Sequence, residues 1–352
     1  MGQENYMNRI TKRGAFFCRF LLSAVFAFAA CSCSSDANIQ QILGTSVEAP
    51  VFMDCKPVSP TEIVFNFSKP VRVASINFDS GLEVQSIEEG REVKVSFAQP
   101  LDAGRKITAD ILVEDSGRNT LNVIVPFRAR NERMPTLVFN ELRTDYSSSS
   151  SRVRSEFVEF IALEPGNLGA LRLFIAGHSL SKPIYEFPPA EVKAGEYIVL
   201  HLRTIGEGSV DETGADITVS GGSDAQDNAR DFWLPGSSKR LHRTSALWLM
   251  DQDDRIIDAV LLCENPADWG RNNSAAAAEF LARNGAWLPA SGENDDWVPG
   301  PADAVASRGT TATRTLCRDQ SIPPAPRANN WYITAGSNDT PGRENSTRRY
   351  TP

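Results

Sequence analysis

The sequence predicts an all-β fold of two tandem β-sandwiches, the second enlarged by loops and one short helix. The first observation is an alternation of apolar and polar residues at period two, clearest over residues 61–67, 93–97 and 107–113. This alternation places one side of a strand in a core and the other side in water. The second observation is the recurrence of turn sequences such as DAG at 102–104 between these stretches. Several short strands at such spacing are typical of sandwiches, and 352 residues suffice for about two domains.

Residues 1–30 have the composition of a signal peptide. Four basic residues precede an apolar run at 20–30 (FLLSAVFAFAA), which is the arrangement of a secretory signal. As a helix this run spans about 16 Å, too short for a bilayer core. Small residues before Cys31, followed by SCSSD, resemble a bacterial lipoprotein signal. The resemblance implies cleavage after Ala30 and a diacylglycerol thioether on Cys31. The alternatives are an ordinary signal peptide and lipidation at Cys33.

The lipoprotein resemblance implies a location as well. A protein lipidated at Cys31 is anchored to a membrane of the cell envelope through acyl chains such as palmitate, here the outer membrane, and faces either the cell surface or the periplasm. Residues 31–48 are rich in Ser, Ala, Gln and Asn and lack periodicity. This composition predicts a flexible tether between the anchor and the folded part of the chain.

Residues 49–130 form the first predicted sandwich, which we call the N-terminal module. The segment TEIVFNFSKPV (61–71) has the pattern of a strand that ends in a turn, and LDAGRKITADILVEDSGRNTL (101–121) has that of a hairpin with two glycine turns. Both segments resemble a bacterial Ig-like module, which implies an Ig-like sandwich that serves as a spacer or a binding scaffold. Asp115 and Asn119 suit either a turn or a calcium site, and the turn is favoured.

Residues 136–345 form the second predicted sandwich, the C-terminal module. Four segments in order resemble a lamin-tail domain: LVFNEL with SEFVEFIAL (137–163), FPPAEVKAGEYIVL (187–200), ALWLMDQDDRIIDAVLL (246–262) and WYITAGSNDTPGREN (331–345). The shared features are an Asn-Glu strand before a Glu-x-x-Glu strand, a Gly-x-Tyr strand, a hairpin and a closing Thr-Pro-Gly-x-x-Asn. The resemblance implies an Ig-like β-sandwich that takes part in interactions rather than in catalysis.

Two insertions enlarge this module. Residues 204–240 are rich in Gly, Ser and Asp and predict a surface loop. Residues 264–310 contain the one clear helix, SAAAAEFLAR at 274–283, which is rich in strong helix formers. A helix of about ten residues does not hold alone, so Phe280 and Leu281 are expected to dock it on the sandwich. We expect buried aromatic side chains to fix the insertion, by means of Trp269, Trp287 and Trp297.

The cysteines are compatible with a disulfide in an exported protein. Cys263 and Cys317 are the natural pair by position, and in the chain-entropy model their loop is worth roughly 4 kcal/mol. Cys55 and Cys33 could pair with each other, or either could stay free.

Composition and motifs limit the classes of function. The formal net charge is −8, and removal of residues 1–30 takes away four bases and one acid, which makes the chain more acidic. Binding of nucleic-acid phosphates needs clustered Lys and Arg, so we expect no nucleic-acid partner. The sequence lacks a phosphate-binding loop, a dinucleotide fingerprint, a Cys-x-x-Cys pair and a calcium loop. We therefore expect no catalytic residues, no cofactor and no metal.

The leading hypothesis is an envelope lipoprotein with a binding or structural role through its C-terminal module, directed at an unknown protein or glycan. One alternative is an exported hydrolase or nuclease with an acidic or metal-dependent site, for which Glu141, Glu156 and Glu159 on neighbouring strands are the candidates. A structural role at strand ends and turns is favoured for them. The other alternative is a periplasmic envelope-assembly component without an external ligand.

Overall fold

A computed structural model describes residues 48–79, 81–149, 153–290 and 297–352. These residues form an all-β protein with several sheets and one α-helix, in agreement with the period-two pattern. The predicted signal peptide, nearly all of the predicted tether and the lipidation at Cys31 lie outside the described residues. Within the described ranges, no helix is both long and apolar enough to cross a bilayer.

The N-terminal module contains six strands around one apolar core. Their sheet order is β3-β4-β2-β5-β6, with β1 also paired to β2, where the strands are β1 (Phe52–Ser59), β2 (Glu62–Phe78), β3 (Val84–Glu88), β4 (Gly90–Phe97), β5 (Lys106–Glu114) and β6 (Thr120–Arg128). The first part of β2 pairs with β4 and its last part pairs with β5, so this long strand joins both halves of the module. The alternating side chains Ile63, Phe65 and Phe67 are buried, as the sequence pattern predicts.

The two ends of the N-terminal module have different neighbours. At one end, the carbonyl of Glu48, the first described residue, accepts a hydrogen bond from Lys69 Nζ (2.6 Å). At the other end, β1 leads into Pro60, whose carbonyl accepts a hydrogen bond from the Leu101 amide (2.8 Å), next to the loop that meets the C-terminal module. The eight residues of β1 span about 26 Å at the usual rise of a strand. The chain therefore enters this module at the end that lies away from the C-terminal module.

The C-terminal module is a sandwich of a six-stranded sheet, β14-β13-β8-β7-β18-β19, and a five-stranded sheet, β11-β10-β15-β16-β17, with a small β12-β9 pair beside them. The strands are β7 (Leu137–Arg143), β8 (Phe157–Ala162), β9 (Gly166–Asn167), β10 (Arg172–Ile175), β11 (Tyr185–Glu186), β12 (Glu191–Val192), β13 (Tyr197–His201), β14 (Arg230–Trp233), β15 (Ser245–Met250), β16 (Ile256–Cys263), β17 (Val305–Ala306), β18 (Leu316–Arg318) and β19 (Trp331–Ile333). The predicted hairpin around residues 246–260 is confirmed as the β15–β16 pair.

The helix α1 (Ser274–Arg283) forms where the sequence predicts it and packs on β15 and β16. Leu281 is fully buried, and the ring centroid of Phe280 lies 5.9 Å from that of Trp248. Trp287 is also fully buried, and its indole N–H donates to a backbone carbonyl at 2.9 Å. Aromatic and aliphatic side chains therefore fix this insertion to the sandwich, as expected.

The other insertion differs from its prediction. The sequence predicts a surface loop over residues 204–240, whereas part of this segment is the buried strand β14, which runs parallel to β13. This strand was not predicted because its first two residues, Arg230 and Asp231, are charged. Arg230 is buried against Glu196, and the Asp231 carboxylate lies 2.8 Å from His201 Nε2. Because these partners come from other segments, local composition could not reveal that the charges are buried.

The predicted disulfide between Cys263 and Cys317 is absent, because both are free cysteines. Cys263 ends β16 and pairs with β17 in one sheet, whereas Cys317 lies in the other sheet, opposite Glu141 and Tyr332. Spacing along the chain could not show that the two residues belong to different sheets. Cys55 is a free cysteine as well, which was one of the alternatives for it.

Candidate functional site

The three candidate acids do not form one site. Glu141 on β7 and Glu159 on β8 are directly opposite each other in the strand register, and both are fully buried. Glu156 precedes β8, and its two carboxylate oxygens accept hydrogen bonds from Arg203 at 2.5 and 2.7 Å. The structure thus brings two of the three acids together and gives the third a separate ion pair.

The C-terminal segment 338–345, which we call the clasp, covers the two paired acids. Thr340 donates to Glu141 from its amide (3.1 Å) and from Oγ1 (3.0 Å), and the Gly342 amide donates to Glu159 (2.6 Å). These are the residues of the closing Thr-Pro-Gly-x-x-Asn sequence. Two of the four segments that carry the lamin-tail resemblance, 137–163 and 331–345, therefore meet in one buried polar network.

Burial raises the pKa of both paired carboxyl groups, because a charged group loses its hydration in the core. The charge of Glu141 raises the pKa of Glu159 further. Each of the four carboxylate oxygens accepts a hydrogen bond from the protein, from Thr340, Gly342 or Asn140. This arrangement is suited to holding the clasp. Among the described residues, no group of three or more His, Cys, Asp or Glu side chains is placed to hold a metal ion.

A Ser–His–Asp arrangement in the same module was missed from the sequence. His201 Nδ1 lies 2.8 Å from Ser155 Oγ, and its Nε2 lies 2.8 Å from Asp231 Oδ1. All three side chains are fully buried, and the imidazole stacks on Trp233 at a centroid distance of 3.9 Å. The serine hydroxyl also donates to Asp224 Oδ2 (3.2 Å). A nucleophile needs a path to its substrate, so this buried arrangement is suited to joining β13, β14 and the segment before β8. Its members come from separate segments, and no motif signals them.

Close backbone contacts between glycines join the two modules. A Cβ atom added to Gly104 would lie 2.4 Å from the carbonyl carbon of Gly169, and one added to Gly169 would lie 2.4 Å from the carbonyl oxygen of Ala103. A Cβ on Gly166 would lie 2.4 Å from the carbonyl oxygen of Arg133. Only glycine permits backbones to approach so closely. The two modules are therefore in direct backbone contact at their junction.

Polar contacts support the same junction. The Arg130 guanidinium donates two hydrogen bonds of 3.0 Å to the Asp253 carboxylate. The Asn131 amide donates to Gln252 Oε1, and Gln252 Nε2 donates to the Asn131 carbonyl, both at 2.9 Å. The linker between the modules is thus paired with the β15–β16 turn.

An open cleft of about 600 Å³ lies at this junction, and we call it the apolar cleft. Its apolar surface comes from Pro60, Pro100 and Leu101 of the N-terminal module and from Pro189 and Ala190 of the C-terminal module. Charged side chains also line it: Asp102, Arg105, Arg130, Glu132, Arg133 and Glu191. Ligand sites commonly have this size, mainly apolar walls and a position between domains. The apolar cleft therefore has the form of a binding site whose two walls belong to different modules.

A second groove of about 360 Å³ lies at the junction and shares Arg130 with the apolar cleft. We call it the cationic groove, because its charged lining consists of four cations and two carboxylates: Lys56, Arg128, Arg130, Arg172, Glu186 and Asp253.

Comparison with known proteins identifies a relationship for the C-terminal module. A family model described as the second domain of the TP_1001 protein matches residues 135–333, which is more than half of the chain. A protein of Treponema pallidum with the name "Uncharacterized protein" is 30% identical over 217 residues, covering 58% of this chain and 54% of the relative. The chain therefore spans about half the length of that relative.

Three solved structures give only distant similarity. The N-terminal part of the bacterial S-layer protein SbsC is 14% identical with a TM-score of 0.23, covering 69% of this chain and 48% of its own. A DUF4876 family protein from Bacteroides thetaiotaomicron is 12% identical with a TM-score of 0.23, covering 57% of this chain and 74% of its own. An L,D-transpeptidase from Mycobacterium smegmatis is 10% identical with a TM-score of 0.15, covering 54% of this chain and 100% of its own. Similarity at this level does not indicate a function for the chain.

Proposed function

The chain belongs to the family of the TP_1001 protein second domain, and we propose that it is a lipid-anchored protein of the bacterial cell envelope with a binding role. The anchor is supported by the resemblance of residues 1–36 to a lipoprotein signal. The binding role is carried by one observation, the apolar cleft, whose walls come from two modules in backbone contact. Apolar walls of this kind suit an apolar or aromatic side chain of a protein partner.

The N-terminal module acts as a spacer in this proposal. Glu48 and the junction lie at opposite ends of the module, which β1 connects over about 26 Å. An anchor at Cys31 would therefore attach, through the flexible tether, to the end of the N-terminal module opposite the apolar cleft. This arrangement favours a partner that is not a lipid of the same membrane.

We propose further that the C-terminal module is a lamin-tail-like interaction domain. The resembling segments at 137–163 and 331–345 contribute to the same buried network, in which Glu141 and Glu159 hold the clasp. A binding role rather than catalysis is supported by the burial of both constellations that could perform chemistry, the glutamate pair and the Ser155–His201–Asp231 arrangement.

Crosslinking in cells tests the binding site. A photoreactive amino acid in place of Thr213, which is exposed and lines the apolar cleft, should form an adduct with the partner. The matched control is the same substitution at Val219, which is exposed and does not line the apolar cleft. An adduct from position 213 alone would support the proposal. Equal adducts from both positions, or none from position 213, would contradict it.

Cell fractionation tests the anchor separately. The variant Cys31→Ser cannot form the thioether, so it should leave the membrane fraction and lose incorporation of labelled palmitate. The variant Cys33→Ser should retain both, which identifies the lipidated cysteine. A Cys31→Ser protein that stays in the membrane fraction with full palmitate label would refute lipidation at Cys31, and one without the label would refute the lipid anchor; neither outcome affects the crosslinking result.

A further inference from the structure

We propose that the cationic groove binds a small organic oxyanion, a carboxylate or a phosphate monoester, as a site distinct from the apolar cleft. Four cations and two carboxylates line the groove, in a chain whose formal net charge is −8. The lining itself thus has an excess of two positive charges. Charged groups of both signs lie around it, since Lys106 approaches Glu186 (3.8 Å), Asp254 accepts from Arg172 (2.7 Å), and Glu132 and Asp251 lie near Arg130.

The cations of the groove differ in whether they already have a partner within the protein. Arg128 pairs with Glu186, and Arg130 pairs with Asp253 through two hydrogen bonds. In the part of the chain that the structure describes, the exposed Lys56 ammonium has no hydrogen bond or ion pair, and Arg172 Nε has no acceptor. The arginines are thus held in place by the protein, while Lys56 keeps donors for a ligand.

The rest of the lining indicates what the anionic group is attached to. Pro57, Pro126, Phe127 and Ala170 provide apolar surface beside the cations. A groove of about 360 Å³ accommodates a small organic molecule rather than a bare ion. Oxyanions are the acceptors that Lys and Arg donors recognise through charge-assisted hydrogen bonds. Together, these features select a compact carbon skeleton that carries a carboxylate or a phosphate.

The same chemistry occurs in a soluble metabolite or glycan unit and in a lipid headgroup. The soluble source is favoured, because the groove lies at the junction and therefore at the end of the N-terminal module away from Glu48. The experiment separates the two sources by using a soluble probe and a vesicle in parallel.

Isothermal titration of the full-length protein with glucose 6-phosphate, with citrate and with glucose, which lacks an anionic group, tests the proposal. Glucose 6-phosphate should bind, and its affinity should fall as salt is added. Glucose, which lacks the phosphate, should not bind. Lys56→Gln should weaken binding about tenfold, and Lys56→Glu should weaken it more, because a charged hydrogen bond is lost and then replaced by repulsion. The matched control is Lys182→Glu, an exposed lysine away from the groove, which should bind like the wild type.

Three outcomes would overturn the inference. These are the absence of binding to glucose 6-phosphate and citrate by the wild type, equal weakening by Lys56→Glu and Lys182→Glu, and binding to phosphatidylglycerol vesicles without binding to either soluble probe. Because Lys56 is exposed, an unchanged melting temperature will show that the variants are folded. A negative result leaves the crosslinking test of the apolar cleft unaffected, since position 213 does not line the cationic groove.

Discussion

Glu159 links the stability of the C-terminal module to pH, because its fully buried carboxyl group faces Glu141. Burial and the charge of Glu141 raise its pKa above the ordinary value. Between the ordinary and the raised pKa, the folded state holds a proton that the unfolded state has released. Stability must therefore fall as pH rises through this window, by about 1.4 kcal/mol per pH unit for each such proton. Glu159→Gln has no such proton, so its free energy of unfolding should change less over the same window.

Urea unfolding at several pH values between about 5 and 8 measures this difference. The matched control is Glu164→Gln, an exposed carboxylate that accepts one hydrogen bond from Thr136 (2.7 Å) and should keep the wild-type slope. Parallel slopes for wild type and Glu159→Gln would show that the Glu159 carboxyl group holds no additional proton in the folded state over this pH range.

Single residues differ in how far the sequence could predict them. Ile63 and Phe65 are buried as their alternation predicts. Arg143 is equally buried, although an arginine in a strand is ordinarily predicted to face the solvent. It is buried because Asp224 (2.6 Å) and Asp339 (2.5 Å) supply carboxylates from segments far along the chain. Alternation reports the side of a strand, whereas the compensation of a buried charge depends on tertiary structure.

The clasp is the element whose loss should affect the C-terminal module most directly. Asn345 Nδ2 donates to the Arg318 carbonyl (2.9 Å) and to Asn140 Oδ1 (3.0 Å), and its amide donates to Gln320 (2.9 Å). Asn345→Ala removes the side-chain donor to the Arg318 carbonyl and one of the two donors to Asn140 Oδ1, so we expect a loss of about 2–3 kcal/mol in the free energy of unfolding. The control Arg343→Ala removes an exposed side chain from the same segment and should cost far less.

Denaturant unfolding of both variants decides whether the clasp is part of the cooperative fold. A loss for Asn345→Ala no larger than that for Arg343→Ala would mean that the clasp is peripheral to it. A large loss would support a structural role for the closing Thr-Pro-Gly-x-x-Asn sequence, whose partners are the two opposed glutamates of β7 and β8.

At the scale of elements, the sequence predicted what depends on local pattern. The helix at 274–283 and the hairpin around 246–260 were predicted because helix formers and alternation are local signals. The strand β14 was not, because the partners of its buried charges, Glu196 and His201, lie outside the 204–240 segment. The predicted Cys263–Cys317 disulfide was wrong because the two cysteines lie in different sheets, which spacing along the chain does not show. The apolar cleft could not be predicted either, because it exists only where two modules meet.

At the scale of the whole molecule, the proposed function depends on the fixed position of one module against the other. Alternation and turns predict two sandwiches, but they contain no information on how the sandwiches meet. The modules meet at glycines such as Gly104, which is in close contact with Gly169 and Ala170. From the sequence, Gly104 is predicted only to be part of a turn. Both the apolar cleft and the cationic groove take their walls from this arrangement.

Gly104→Ala should therefore disturb the junction. The new methyl group would meet three backbone atoms of Gly169 and Ala170 at 2.4–2.7 Å, and backbone cannot move aside as a flexible side chain can. Gly81→Ala is the matched control, because Gly81 has a similar positive φ (60° against 70°) and no atom within 4 Å of the added Cβ. Both variants bear the left-handed backbone cost of about 1–2 kcal/mol, so the difference between them isolates the steric contact.

Small-angle scattering and urea unfolding measure that difference. Gly104→Ala should increase the radius of gyration, or lose more stability than Gly81→Ala, because the two modules must separate or their contacting loops must shift. It should also weaken the crosslink at position 213, since the apolar cleft loses one wall. Equal stability, unchanged scattering and an intact crosslink for the two variants would show that the glycine contact does not hold the modules together, and binding would then have to be assigned to a single module.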